Sequence, residues 1–427
     1  MKVLMINVVC GIGSTGRICT DLAEELNRQG HVVKIAYGRE KTPEKFGKYA
    51  IKIGNNLDVY MHVLKARLLD ASGFGSKRAT KRFINWVQEF DPDIIHLHNI
   101  HGYYINIKVL FDYLKANDKK IIWTFHDCWA FTGHTAYCDA ISCKRWINGC
   151  KKCPQKHQYP KTFIDNSKRN WLRKKELLCG LNDLTIITPS DWMNQMVRQS
   201  FLSKYDSYVI HNGIDLAVFN GQKTNNRIKM NLADKIILLG VAATWDDMKG
   251  LTDFKKLSIL LDRKYQIIMI GLNKTQLREM PKEIIGIGRT NGREELVMYY
   301  QTADIFLNLT YCDNYPTVNL EAVACGTKVI SYDVGGCKET IRKGIDQVVP
   351  RGDLNAVIKA IHKVIETDET EKIEDIAWLD QKETYKQYLE EYERIYYKID
   401  RGNQKDKYDH IFCSSACCSI RRWDIRK

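Results

Sequence analysis

Short apolar runs alternate with helix-patterned segments along nearly the whole chain. That alternation limits the fold to strand–helix–strand units carrying parallel sheets. In the first half the runs begin at Val3, Val32, Ile94, Ile121, Leu184 and Val209, and in the second at Ile236, Ile267, Ile284, Ile305, Val329 and Val348. The first run leads through a turn into a helix with Ile18, Leu22 and Leu26 on one face. Two sets of comparable size predict two doubly wound α/β domains, and 427 residues exceed what one core usually serves. The break falls near His211–Asp215. The expected division is an N-terminal domain over 1–208, a second domain over 209–383, a helix over 384–400 and a tail over 401–427 with no assignable role. Ligands of such sheets bind beyond the carboxyl ends of the strands, so the expected site is a cleft between the two domains.

Composition narrows the classes only slightly. Lys and Arg total 65 against 51 Asp and Glu, a net charge of +14. A basic balance suits nucleic acid, anionic lipid or a phosphorylated substrate, but here it is spread along the chain and selects none of them. No nucleic-acid-reading motif accompanies it. No run approaches the roughly 20 apolar residues that span a bilayer. MKVLMINVV reads as a first strand and not as a signal peptide, so a cytoplasmic chain is expected. Fourteen cysteines in a reducing compartment read as thiols or metal ligands, not disulfides. Cys138, Cys143, Cys150 and Cys153 lie in an irregular insertion over about 128–165 and form a candidate structural zinc site.

Two stretches carry the chemistry. Gly11-Ile12-Gly13-Ser14-Thr15-Gly16 follows a strand and opens a helix, as a phosphate-binding turn does, with free N–H groups at the helix start. Read by itself, this loop also permits an NADP-dependent oxidoreductase, with Arg39 available for a 2′-phosphate. The second stretch runs from Tyr311 to Gly326 behind the Ile305 strand. Pro316 suits the first turn of a helix. Asp313 then stands before that helix and Glu321 inside it, eight positions on. Asn314, Tyr315, Pro316 and Thr317 lie between them as candidate donor-binding residues, and the free N–H groups around Tyr315 to Val318 stand at the helix start. One acid can grip a sugar hydroxyl pair and the other a ribose diol, with a diphosphate held between them.

The ordered segments GSTGRI (13–18), PDIIHLHNIHGYYIN (92–106), WTFHDCWAFTGH (123–134), TPSDWM (188–193), VIHNGID (209–215), MKG (248–250) and the stretch 313–330 resemble family 4 glycosyltransferases of the bacterial capsule, exopolysaccharide or O-antigen type. The likeness covers most of residues 1–395. It implies the GT-B fold, two Rossmann-like domains facing a central cleft, and a retaining transfer from a UDP- or GDP-sugar without a catalytic metal or other cofactor. It implies that Lys249 meets the donor diphosphate, that His126 lies under the donor sugar, and that Asp313 and Glu321 hold sugar and ribose. His98 and His101 fall on the acceptor side. The arginine that such enzymes carry shortly before the lysine is replaced by Ala243-Thr244-Trp245-Asp246, so either Arg289 or helix N–H groups alone must take up that charge. Asp91-Pro92-Asp93 precedes its strand and reads as a turn at the far end from the cleft, not as a metal motif.

The segment Tyr60–Trp86 interleaves apolar residues with Lys65, Arg67, Lys77, Arg78, Lys81 and Arg82, a make-up suited to resting on an anionic membrane surface. Such contact fits an acceptor glycan carried on a polyprenyl diphosphate, at the inner face of the membrane. The readings set against this one are the oxidoreductase above and a basic nucleic-acid-binding module.

Overall fold

The structure, a computed structural model, describes residues 1–221, 232–366 and 376–397. It contains two parallel sheets with helices on both faces. The first is built from β1 (Lys2–Asn7), β2 (Val32–Tyr37), β3 (Ala50–Lys52), β4 (Ile94–Leu97), β5 (Lys120–Thr124), β6 (Leu184–Thr188) and β7 (Asp206–Val209), in the order β3-β2-β1-β4-β5-β6-β7. The second holds β8 (Ile236–Val241), β9 (Tyr265–Ile270), β10 (Ile284–Ile287), β11 (Ile305–Asn308), β12 (Lys328–Tyr332) and β13 (Gln347–Val349), in the order β10-β9-β8-β11-β12-β13. All ladders are parallel; in β1, for example, Val3 pairs with Val33 on one side and Ile94 on the other.

The central strands are apolar because both of their faces are covered: Val3 through Ile6 of β1 have no exposed surface. The connection reverses between β1 and β4 in the first sheet and between β8 and β11 in the second. At each reversal neighbouring loops diverge and leave a crevice at the carboxyl edge. The loops after β1, β4, β5, β8 and β11 are therefore the ones that can build a site.

Three details differ from the sequence-based expectation. The last strand of the first sheet ends at Val209 instead of beginning there, and the three-residue edge strand β3 carries too little pattern to be read. The last described helix starts at Gln381, and it returns to the first domain. Tyr385, Tyr388, Leu389, Tyr392 and Ile395 join Val3, Met5, Leu22 and Leu26 in one core. The Tyr392 hydroxyl meets Nδ1 of His96 at 2.5 Å, and the Tyr388 hydroxyl meets Oγ1 of Thr124 at 3.0 Å. This strap ties the second domain's end to the strands that carry His98 and His126. The tail assigned to 401–427, and residues 398–400 of the expected helix, lie outside the described residues.

The Asp91-Pro92-Asp93 turn lies before β4, at the edge away from the cleft. Its carboxylates accept from Nζ of Lys119 and the backbone N–H of Lys2, both at 2.7 Å. It is a helix-to-strand turn, as expected.

Candidate active site

Lys249 comes from the loop after β8. Asp246 accepts the N–H of Lys249 at 3.0 Å, closing a single 3-10 turn over Asp247–Lys249. The turn docks on the loop after β11 through Tyr311 N–H to Met248 O at 2.8 Å. Gly250 follows with φ +80°, and a Cβ there would stand 2.3 Å from the Leu309 carbonyl, so only glycine lets the loops approach this closely. Nζ of Lys249 is thereby carried to Oδ2 of Asp313 at 2.7 Å. Burial works against the ammonium, but the adjacent carboxylate outweighs it and raises the Lys249 pKa above its ordinary value. The other carboxylate oxygen of Asp313 accepts from Asn314 N–H at 2.9 Å. Asp313 is thus a partner of Lys249 and not a helix cap.

The helix behind Asp313 runs Thr317–Ala324 with Pro316 at its N-cap, one position earlier than expected. It has no side-chain cap and no acid in its first turn among the described residues, so the partial positive charge at its start is not neutralised by its own side chains. Glu321 sits further along this helix, and its Oε2 accepts from the Tyr300 hydroxyl at 2.9 Å. Burial pushes its pKa up to about 7, while the Tyr300 bond and the charges of Arg17 and Arg293 act in the opposite sense.

The opposite wall carries the glycine turn. Gly11 has φ +72°, and a Cβ there would meet the Phe46 ring at 2.5 Å. Around Gly13 nothing lies within 4 Å of a would-be Cβ, and Ser14 is exposed beside it. The Gly13–Arg28 helix likewise starts without a side-chain cap or an acid in its first turn.

His126 follows β5, and its Nε2 meets Nδ1 of His98 at 3.0 Å with the two rings stacked. Burial lowers the His126 pKa to about 4, so the ring is neutral near pH 7. Among the described residues, Nε2 of His98 is buried without a partner. A proton there would be an orphaned donor, which places the His98 proton on Nδ1, donating to His126. His126 then carries its own proton on Nδ1. His98 is 2% exposed and lies beneath the cleft floor, holding His126 instead of lining the acceptor space. His101 is less deeply buried: its Nε2 bonds Oδ2 of Asp127 at 2.7 Å and its Nδ1 meets the Tyr159 hydroxyl at 3.2 Å.

Asn314 is among the residues that join the two walls. The Asn314 side chain accepts from Ser190 Oγ and donates from Nδ2 to Phe125 O at 3.1 Å. Phe125 precedes His126, and Asn314 follows Asp313. This bond therefore sets His126 against the Lys249–Asp313 pair. Tyr315 stacks on His211 at 4.8 Å. The side chains of Asn314 and Tyr315 are committed to the seam between domains, so what they can offer a donor is backbone. Arg289 is exposed after the edge strand β10 and makes no hydrogen bond or ion pair to Lys249, Asp313 or Glu321 among the described residues.

Among the described residues, the four thiols of the expected zinc site do not form a group with ligand atoms within 4.8 Å of one another. Cys138 is buried and its thiol turns to Cys128, while Cys150 accepts from Gly133 N–H at 3.2 Å. Among the described residues, the one group of His, Cys, Asp or Glu ligand atoms within 4.8 Å of one another is Asp191, His211 and Glu339. There the Glu339 oxygens already accept from the N–H groups of Asp191 and Trp192, at 2.7 and 2.9 Å. The insertion instead bridges the cleft: Arg351 of the second domain donates to Asp139 O at 3.0 Å and to Ser142 Oγ at 3.1 Å.

Residues absent from the sequence reading are Asp127, Tyr300, Glu339 and Arg351. Only Asp127 left a trace, as a second polar residue directly after a buried strand. The others depend on contacts between segments far apart in the chain.

Residues 15–218 match the model described as Glycosyltransferase Family 4, and residues 222–376 match Glycosyl transferases group 1. A protein of Escherichia coli named as the colanic acid biosynthesis glycosyl transferase WcaC is 24% identical over 84% of this chain and 90% of its own length. An N,N'-diacetylbacillosaminyl-diphospho-undecaprenol alpha-1,3-N-acetylgalactosaminyltransferase of Campylobacter jejuni is 29% identical over 27% of this chain and 32% of its own length. Among solved structures, HepE of Anabaena in complex with UDP-glucose superposes with a TM-score of 0.62 at 13% identity, over 92% of this chain and 99% of that one. Sucrose-phosphate synthase of Thermosynechococcus elongatus gives 0.61 at 16% identity, over 97% and 100%. These likenesses carry the fold, and the family models decide against the oxidoreductase and nucleic-acid readings. With two parallel-sheet domains closing on one cleft and two models that together span most of its length, the chain belongs to the family 4, group 1 glycosyltransferases and has the GT-B fold.

Proposed function

We propose that this enzyme transfers a hexose from a UDP- or GDP-sugar to a glycan carried on a polyprenyl diphosphate, with retention of configuration, in cell-surface polysaccharide synthesis. It does so as a cytoplasmic protein at the inner membrane face. The reading rests above all on the Asn314–Phe125 bond, which holds the Lys249–Asp313 pair and His126 on opposite walls of one crevice. The names of the Escherichia coli and Campylobacter jejuni relatives point to polysaccharide synthesis and to an undecaprenol-linked acceptor.

Breaking the anomeric bond leaves a nucleoside diphosphate whose negative charge grows as the bond lengthens. Lys249 and the uncapped starts of the Gly13 and Thr317 helices stabilise that charge. The diphosphate draws the ammonium from Asp313, whose freed carboxylate then accepts from sugar hydroxyls. Glu321 accepts from the ribose diol. The neutral His126 offers its Nδ1 proton to the donor sugar, and His101 with Asp127 faces the incoming acceptor. The acceptor hydroxyl passes its proton to the departing phosphate on the same face. Charge neutralisation by protein groups makes a divalent ion unnecessary.

Isothermal titration with UDP-, GDP- and pyridine nucleotides tests the donor class. One of the first two binds and NADP does not; the opposite outcome contradicts the proposal. Transfer is expected to continue in EDTA, and a loss that Mg²⁺ or Mn²⁺ restores contradicts the metal-independent step.

A further inference from the structure

Among the described residues, no helix is long and apolar enough to cross a membrane. One helix is nevertheless apolar on a face that the protein does not cover. In the Asn56–Leu69 helix, Leu57, Met61, Leu64 and Leu68 are 67%, 58%, 49% and 49% exposed, with Tyr60 beside them at 70%. Their spacing of four, three and four residues forms one stripe along the helix. The opposite face is already packed: His62 and Ala66 are each 1% exposed, and Nε2 of His62 accepts the N–H groups of Gly73 and Gly75 at 3.1 and 3.0 Å. Asn55 and Asp58 close a capping box at the helix start. The helix is thus fixed in rotation, and the stripe is not a misplaced core face.

The insertion lengthens this surface. Phe163 N–H bonds Arg67 O at 2.9 Å, and Asn166 Nδ2 bonds Leu69 O at 3.0 Å, which sets the exposed Phe163 and Ile164 at the end of the stripe. Exposed Arg67, Lys161, Lys168 and Arg169 border it. By contrast, the Lys77–Phe90 helix buries Phe83, Ile84 and Val87 and offers solvent only its polar side.

We propose that the stripe of the Asn56–Leu69 helix, with Phe163 and Ile164, inserts into the headgroup layer of an anionic phospholipid surface while the bordering cations meet lipid phosphates. A contiguous exposed apolar face with a basic rim has the chemistry of an interfacial helix. A second copy of this chain suits it less, because a twofold contact sets the basic rim against itself. The position serves the acceptor. The ring of His62 packs on Tyr103, Tyr103 packs on Tyr159, and the Tyr159 hydroxyl meets His101 at the cleft. A glycan held at the bilayer by its lipid therefore enters beside His101 and Asp127. That purpose rests on the lipid-linked acceptor proposed above, whereas binding to lipid does not.

The test is co-sedimentation of the full chain with vesicles of phosphatidylglycerol and phosphatidylcholine, and with phosphatidylcholine alone. The wild type is expected to bind the anionic vesicles, with a part of the binding surviving high salt. Met61→Glu/Leu64→Glu should weaken that binding at least about tenfold, the effect of removing two apolar side chains from the headgroup layer. Both positions are exposed, so the melting temperature and acceptor-free donor hydrolysis should not change. Three results overturn the proposal: no binding of the wild type to anionic vesicles, unaltered binding of the variant, or a wild-type dimer in sedimentation velocity that the variant converts to monomer. If donor hydrolysis is missing in both proteins while the vesicle results hold, the transferase reading fails and this surface stands.

Discussion

Lys249→Ala is expected to lower sugar transfer by about 10²–10³, the usual loss when a donor aimed at developing negative charge is removed. The fold should survive, because the turn around Lys249 is held by backbone contacts of Met248 and by Asp246, not by the lysine side chain. The effect should fall on kcat more than on KM, since the charge on the leaving diphosphate is greatest in the transition state. In the free protein, Asp313 already occupies the ammonium at 2.7 Å, so part of the ground-state attraction to the donor is offset by breaking that pair. Initial rates over a range of donor concentrations separate the two parameters. Turnover equal to that of the wild type would remove Lys249 from the chemistry.

Glu321→Gln should weaken donor binding about tenfold to a hundredfold, the range for losing charge-assisted hydrogen bonds to a diol. The same change should stabilise the free protein at high pH. Burial raises the folded-state pKa of Glu321 from the ordinary 4.5 to about 7. Between those values the folded chain keeps a proton that the unfolded chain has lost. Stability attributable to this group therefore falls as pH rises from 4.5 to 7, and it stays low above that. Glutamine carries no such term. The variant should melt higher than the wild type above pH 7, with the gap closing toward pH 4.5. Wild-type donor affinity should move the other way, rising through pH 7 as the carboxylate forms. Parallel melting curves and donor titrations from pH 5 to pH 8.5 check both directions. A variant that melts lower at high pH, or binds donor equally well, contradicts this role for Glu321.

The strands that build the two sheets were legible because they are buried on both faces and read as unbroken apolar runs. The edges were not: β3 has only three residues, and β7 is half exposed, so neither carries a clear period. Asp313 and Glu321 stand out because they flank a helix start marked by the strong Ile305 strand and Pro316, whereas Lys249 is marked only by the resemblance of Met248–Gly250 to the family's segment. The direction of the Asn314 and Tyr315 side chains was not legible, since it depends on Ser190, Phe125 and His211 of the other domain. Cysteine spacing suggested a metal site, but spacing does not show that Cys138 turns into the core toward Cys128. The segment 60–86 reads as apolar residues interleaved with basic ones throughout. Only its packing reveals that the second of its helices is covered and the first is not.

The central claim is that this cleft moves a sugar from a nucleotide to an acceptor with its configuration kept. Proton NMR of the first product formed from a nucleotide-sugar and a polyprenyl-diphosphate-linked glycan tests it most directly. The account predicts release of nucleoside diphosphate together with a new glycosidic bond of the donor's own anomeric configuration, absent with Lys249→Ala. A product of inverted configuration, or transfer undiminished in that variant, would contradict it.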